Sequence, residues 1–225
     1  MHLRTASLKL LALLAAILPP SFSSAEIIDF DSLAAMTFWA TTPIADDAKL
    51  STQLLASHGV AFSSGDPYVA VVALGAGHAT SGINGIGGSN GSGVLTYDKA
   101  SPIKISFFDP SHTTTAAETD FVSLRVDLAG EGQTIYLRAY DYLDDLIAET
   151  SAVNFGGPTL AISANGIHSV RFFGTTDFGG AAVDDLTFAD LTALSIPEPG
   201  TLPLLALATI AFFAVSWRSA NPKVA

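Results

Sequence analysis

The chain has 225 residues, 10 Lys+Arg against 21 Asp+Glu for a formal net charge of −11, and no cysteine. The missing cysteine excludes disulfide scaffolds, thiolate zinc sites, iron–sulfur clusters and a cysteine nucleophile. The acidic balance leaves no basic stripe to replace nucleic-acid counterions. With 49% hydrophobic and 14% charged residues, the chain is too apolar for disorder and long enough for one core.

The first 25 residues have the order of a secretory signal peptide. Arg4 and Lys9 supply positive charge, ten of the eleven residues from Leu8 to Leu18 are apolar, and Pro19 and Pro20 end the run. Ser23 and Ala25 then place small side chains at the −3 and −1 positions of a cleavage site, so the cut is expected after Ala25.

Residues 26–196 carry six basic and 20 acidic residues, a formal net of −14. Short strand signals recur along this body: Ile27–Phe30, Val60–Ser63, Val69–Ala73, Val94–Tyr97, Leu160–Ser163 and Val183–Phe188. Ile103, Ile105 and Phe107 alternate with polar neighbours, as do Val122, Leu124, Val126 and Leu128, and Ile135, Leu137 and Ala139. Ile167, Val170 and Phe172 form a less regular run. This period of two is that of half-buried strands. Only Asp46 to Ala56 reads as helical. Eight glycines fall between Gly75 and Gly93, which predicts a surface loop. Asp141 to Asp145 reads as a hairpin connection. Many short strands between Gly, Asp and Asn, with no fixed repeat, predict an all-β domain, a β-sandwich or jelly roll.

The last 29 residues, 197–225, contain Pro197, Glu198 and Pro199, then 17 uncharged residues from Thr201 to Trp217, then Arg218 and Lys223. Seventeen helical residues span about 26 Å, the lower limit for a transmembrane helix. The basic residues would stay cytoplasmic and leave the body outside. Two prolines hold the preceding peptide extended, the form a membrane protease can bind.

This order of tripeptide, apolar helix and basic tail, together with the signal peptide, resembles the PEP-CTERM sorting signal of exported proteins in Gram-negative bacteria. The helix lacks the glycines such signals often carry, and the tail has one Arg and one Lys in place of an Arg cluster. The resemblance implies processing by an exosortase-type membrane protease at Pro197, Glu198 and Pro199. It further implies anchorage in the inner membrane before processing, and a final place at the cell surface or in the extracellular polysaccharide matrix. The protein is expected to be non-enzymatic.

Chemistry-bearing motifs in the body are few. Gly87-Gly88-Ser89-Asn90-Gly91 matches G-x-S-x-G in form, but a nucleophile elbow needs a strand before the serine and a helix after it. No histidine in the body lies three to five residues from another, so metal-binding His pairs are absent. A secreted hydrolase therefore has no nominated nucleophile.

The carboxylates say more. Asp29 and Asp31 lie near the start of the body, Asp184 and Asp185 near its end. Were the first and last strands neighbours, these four would converge and suit Ca²⁺, an oxygen-seeking cation. Simple alternation, with acids on the wet face, accounts for Asp29, Asp31 and Asp185 equally well. These two terminal segments, and no others, resemble the edges of MAM-type and lectin-like jelly rolls, some of which hold a structural metal there. A carbohydrate-binding domain, with or without Ca²⁺, is the alternative function. Its aromatic candidates are Trp39, Tyr68, Tyr97, Tyr136, Tyr140 and Tyr142. Tyr136 and Tyr140 lead them, because they share the polar side of a strand with Arg138; cross-strand packing accounts for strand tyrosines equally well.

Overall fold

The structure is a computed structural model, which describes residues 25–37, 43–75, 78–91, 93–94, 101–128, 132–153, 157–174 and 182–194. The signal-peptide run before Ala25, the sorting motif Pro197–Pro199, the apolar run 201–217, Arg218 and Lys223 lie outside these residues. Trp39 and Tyr97 do as well. Among the described residues no helix is long and apolar enough to cross a membrane. The described residues up to Ala193 belong to one compact unit.

In chain order the strands are β1 (Glu26–Ile28), β2 (Met36–Thr37), β3 (Lys49–Leu50), β4 (Val60–Ser63), β5 (Val69–Ala73), β6 (Asn84–Gly87) and β7 (Ile103–Asp109). They continue with β8 (His112–Leu128), β9 (Thr134–Tyr140), β10 (Leu146–Val153), β11 (Thr159–Ile167), β12 (Ser169–Gly174), β13 (Ala182–Phe188) and β14 (Thr192–Ala193). The helix expected over Asp46–Ala56 is instead a 3-10 turn at Asp46–Ala48, strand β3, and one α-helical turn, α1 (Leu55–His58). Its apolar residues do not repeat at helical spacing, so a longer helix would have no face to bury.

Two sheets form. One has the order β10-β9-β12-β7-β4, antiparallel throughout. The other is built on β11-β8-β13, with β6 and β1 sharing the far edge of β13 and β5 beyond β6. The 17-residue β8 joins the two: its start turns back on β7 at Asp109↔His112, and its later half lies between β11 and β13. The architecture is all-β and sandwich-like.

The inward face of each strand carries the alternating apolar residues. Ile103, Ile105 and Phe107 on β7, and Ile135, Leu137 and Ala139 on β9, are fully buried. They meet Val122, Leu124, Val126 and Phe188 from the other sheet in one cluster. The Phe107 and Phe188 rings, one from each sheet, lie 5.4 Å apart. Each such buried ring contributes roughly 2–3 kcal/mol through the hydrophobic effect.

The glycine-rich stretch is not wholly loop. Asn84–Gly87 is a buried strand between β5 and β13. Gly85 is needed for that packing, since a Cβ there would stand 2.8 Å from Leu74 Cδ1 and from the Val183 carbonyl. Glycine here permits close approach of strands rather than freedom.

Candidate functional site

The strand order puts β1 beside β13, with Ile28 opposite Leu186. This brings the ends of the body together, and the carboxylates there hold a loop. Asp31 Oδ1 accepts from the Ile83 and Asn84 amides at 2.9 and 3.0 Å. Asp184 Oδ2 accepts from the Thr80 and Ser81 amides, each at 3.0 Å, and from Ser81 Oγ. Asp184 Oδ1 accepts from the Asp185 amide at 2.7 Å, and Asp185 Oδ1 from Ser81 Oγ at 2.6 Å. Asp29 Oδ1 accepts from the Asp31 amide.

A β-bulge produces this arrangement. The register of β13 on β8 shifts between Asp184 and Thr187, and Asp185 takes a positive φ of 48°. The extra residue breaks the alternation and turns both carboxylates toward segment 80–81. Asp184 is fully buried, and that burial pushes its pKa up to about 6 against the pull of its N–H and O–H donors. Each of the four acids is thus committed to N–H or O–H donors. Among the described residues no group of three or more His, Asp or Glu side chains is arranged to hold a metal.

Ser89, the serine of the G-x-S-x-G match, is completely buried; its Oγ donates to the Tyr68 carbonyl. It faces no substrate. On the surface, Asp109, Ser111 and His112 are in contact, but Ser111 Oγ at 2.9 Å and Asp109 Oδ2 at 3.2 Å share one ring nitrogen, Nδ1. A proton relay needs the two on opposite nitrogens. A cleft of about 400 Å³ is lined by Glu118, Asp120, Asn165, Asp190 and Thr192.

The densest grouping of recognition chemistry lies on the outer face of the β10-β9-β12-β7-β4 sheet. Register aligns its residues in rows. Ser151, Tyr136 and Phe173 are cross-strand neighbours. The next row is Glu149, Arg138, Arg171, Lys104 and Ser63. The third is Leu146, Tyr140, Ser169, Ser106 and Ala61. Tyr136 and Tyr140 therefore share one face with Arg138 between them, as strand alternation requires.

These side chains interlock. The Tyr136 and Phe173 rings stack at 5.3 Å and 14°. The Arg138 guanidinium lies 4.9 Å from the centre of the Phe173 ring and donates from Nε to Glu149. Arg171 lies 4.0 Å over the Tyr140 ring, and its Nη2 donates to both carboxylate oxygens of Asp144 at 2.5 Å. Lys104 Nζ is 3.6 Å from the same carboxylate. The hydrogen bond from Arg171 holds Asp144 below the usual carboxylate range, and the bond to Glu149 raises Arg138. Tyr140 is buried at 8% exposure with one ring face under Arg171, and Tyr136 is half-buried with one face on Phe173. At the end of the rows Tyr142 is 48% exposed and meets the His168 ring edge-on at 5.5 Å.

Three of the body's six basic residues thus sit side by side, although the body is strongly acidic. Sequence reasoning found Tyr136, Tyr140 and Arg138. It missed Arg171, Phe173, Lys104, Asp144 and Glu149, because rows across strands depend on pairing order. Alternation in β12, which puts Arg171 and Phe173 on one side, was the available signal.

No family model matches the sequence, and neither does any curated protein. Among solved structures the chain is similar to the K2 cleaved adhesin domain of Lys-gingipain, at 12% identity and a TM-score of 0.34, over 73% of this chain and 97% of that one. It is similar to the enzymatically active domain of tailspike protein 4 of bacteriophage CBA120, at 11% identity and 0.33, over 62% of this chain and 20% of that one. A third is TmCBM61 in complex with β-1,4-galactotriose, at 13% identity and 0.29, covering 68% of this chain and all of that one. Similarity at this level carries no inference about ligand or activity.

Proposed function

We propose that this chain is an exported, non-enzymatic protein whose sandwich-like domain, of jelly-roll type, binds polysaccharide through the outer face of the β10-β9-β12-β7-β4 sheet. The single observation that supports this is the outer face on which half-buried Tyr136, backed by Phe173, stands next to the row Glu149–Arg138–Arg171–Lys104. Sugars offer apolar C–H faces and paired hydroxyls. Aromatic side chains suit the first, and guanidinium–carboxylate pairs, with donors and acceptors in one plane, suit the second. On the outer side of β8 and β11, Phe121 faces Ser163, Ser123 faces Ala161 and Arg125 faces Thr159, so ring and cation are separated by a row of small residues.

Native electrophoresis of the full chain through gels containing individual polysaccharides tests the reading. Retardation by at least one polymer is expected, weakened about tenfold in affinity by Tyr136→Ala and by Arg138→Ala and unchanged by Glu118→Gln in the separate acidic cleft. Retardation by none, or retardation indifferent to Tyr136 and Arg138, would contradict it.

Export and sorting form the second half of the proposal. In this reading the signal peptide ahead of Glu26 delivers the domain outward, the apolar run 201–217 parks it in the inner membrane, and an exosortase-type protease acts near Pro197–Pro199. The order of the terminal segments in the sequence supports this half. The destination, a cell surface or polysaccharide matrix, is where a glycan-binding domain would find its ligand.

A further inference from the structure

Asp144 occupies the centre of the outer face in an unusual way. It belongs to the β9–β10 connection, takes a positive φ of 67°, and turns both carboxylate oxygens to one Arg171 nitrogen, Nη2, with Lys104 beside it. The connection does not need that contact to stay closed. Asp141 Oδ1 accepts from the Leu143 and Asp145 amides, both at 2.9 Å, and the Asp141 amide donates to the Asp145 carbonyl. The turn is thus closed by Asp141 alone, while Asp144 rests on two cations drawn from the neighbouring strands.

We propose that Asp144 is an internal stand-in for the carboxylate of a uronic acid, and that the face takes acidic polysaccharides, whose carboxylate displaces Asp144 from Arg171 and Lys104. This rests on the carbohydrate-binding role given to the face above. Arg171 and Lys104 are directly opposed in register, with Arg138 next in line, so successive cations follow the row. A planar guanidinium freed from Asp144 can offer a carboxylate a two-nitrogen fork, which a lone ammonium cannot. Asp144 has 53% of its side chain exposed, so an incoming ligand can reach the pair.

A second feature lies next to it. Ser169 stands between Tyr140 and Ser106 on the same face, is 1% exposed, and its Oγ has no hydrogen-bond partner among the described residues. Buried hydroxyls are ordinarily paired. An unpaired hydroxyl two residues from Arg171 is a further polar group that a sugar oxygen could satisfy. The body's net negative charge does not forbid the encounter, because at physiological salt charges beyond about 8 Å are screened, and locally the three cations outnumber the two carboxylates, Asp144 and Glu149, that pair with them.

The test compares binding of the full-length chain to polygalacturonate and to the same polymer methyl-esterified, which keeps the sugar backbone and removes the charge. The proposal predicts at least tenfold tighter binding to the free acid. Asp144→Asn should tighten binding to the acid several-fold, and Lys104→Gln should weaken it about fivefold, with unchanged melting temperatures showing that both variants fold. Equal affinity for the two polymers, weakening by Asp144→Asn, or equally tight binding of dextran sulfate would overturn it. If only neutral polysaccharides bind, the acidic-ligand inference falls and the carbohydrate-binding role stands; if no polysaccharide binds, both fall.

Discussion

Gly82 and Asp184 show how single residues build the loop between the first and last strands. Gly82 has a φ of +48°, and a Cβ there would fall 1.5 Å from the Asp31 carboxylate. Gly82→Ala combines left-handed strain with eviction of Asp31 from two amides, and should lower stability by about 2 kcal/mol or more, read as a fall in melting temperature. Asp184 tests pH. Its pKa is raised from 3.8 to about 6 by burial, so the folded chain holds a proton that the unfolded chain releases in that interval. The resulting stability is full below pH 3.8 and is lost as pH rises through 6. Relative to Asp184→Asn, the native chain should lose on the order of 2–3 kcal/mol between pH 4 and 6.5 in denaturant titrations; parallel curves would remove Asp184 as the cause. The sequence marks these acids as a group. What it hides is that a bulge turns Asp184 onto the Thr80 and Ser81 amides and Asp185 onto the Ser81 hydroxyl, since alternation alone would send them to opposite faces.

Apolar strands were legible: β4 and β5 match the expected bounds, β7 runs two residues further at its end, β13 starts one residue earlier, and β9 extends by one residue at each end. The strands that were missed had lost that pattern for identifiable reasons. In β10, Leu146, Ile147, Glu149, Ser151 and Val153 are all exposed, because it is an edge strand with a bulge near its start. The first half of β8, from His112, is rich in Thr, Ala and Glu and serves as the crossing between sheets. In β6 glycine replaces the apolar residues by which buried strands are recognised. That substitution gives an element-level prediction: Gly85→Ala should cost roughly 1–3 kcal/mol by overpacking against Leu74 and Val183, in a denaturant titration, with no change at the outer face of the other sheet. The Arg138–Glu149 pair is a different case. It is a partly exposed cross-strand pair, and a double-mutant cycle should return less than about 1 kcal/mol of stability, so a large loss of polysaccharide affinity at Arg138 would be a binding effect.

For the whole molecule, the charge ledger separates two roles. The body is acidic, yet three of its six basic residues, Lys104, Arg138 and Arg171, stand side by side on one sheet face, while the four basic residues outside the body lie in the terminal segments. The terminal segments predict maturation at both ends. The mass of the exported protein should correspond to a start at Glu26 and an end near Pro197–Pro199, and deleting Pro197–Pro199 should leave the C-terminal peptide in place. The proposed terminal signals can be read in sequence because such signals are linear. The binding face is not, because it is assembled from β7, β9, β10 and β12 in an order that only pairing reveals. Hydrogen–deuterium exchange of the full chain, with and without the polysaccharide that retards it most, tests that face most directly. Protection should concentrate in residues 134–149 and 169–174. Protection confined to the acidic cleft at Glu118, Asp120 and Asp190, with the outer face unchanged, would contradict the assignment.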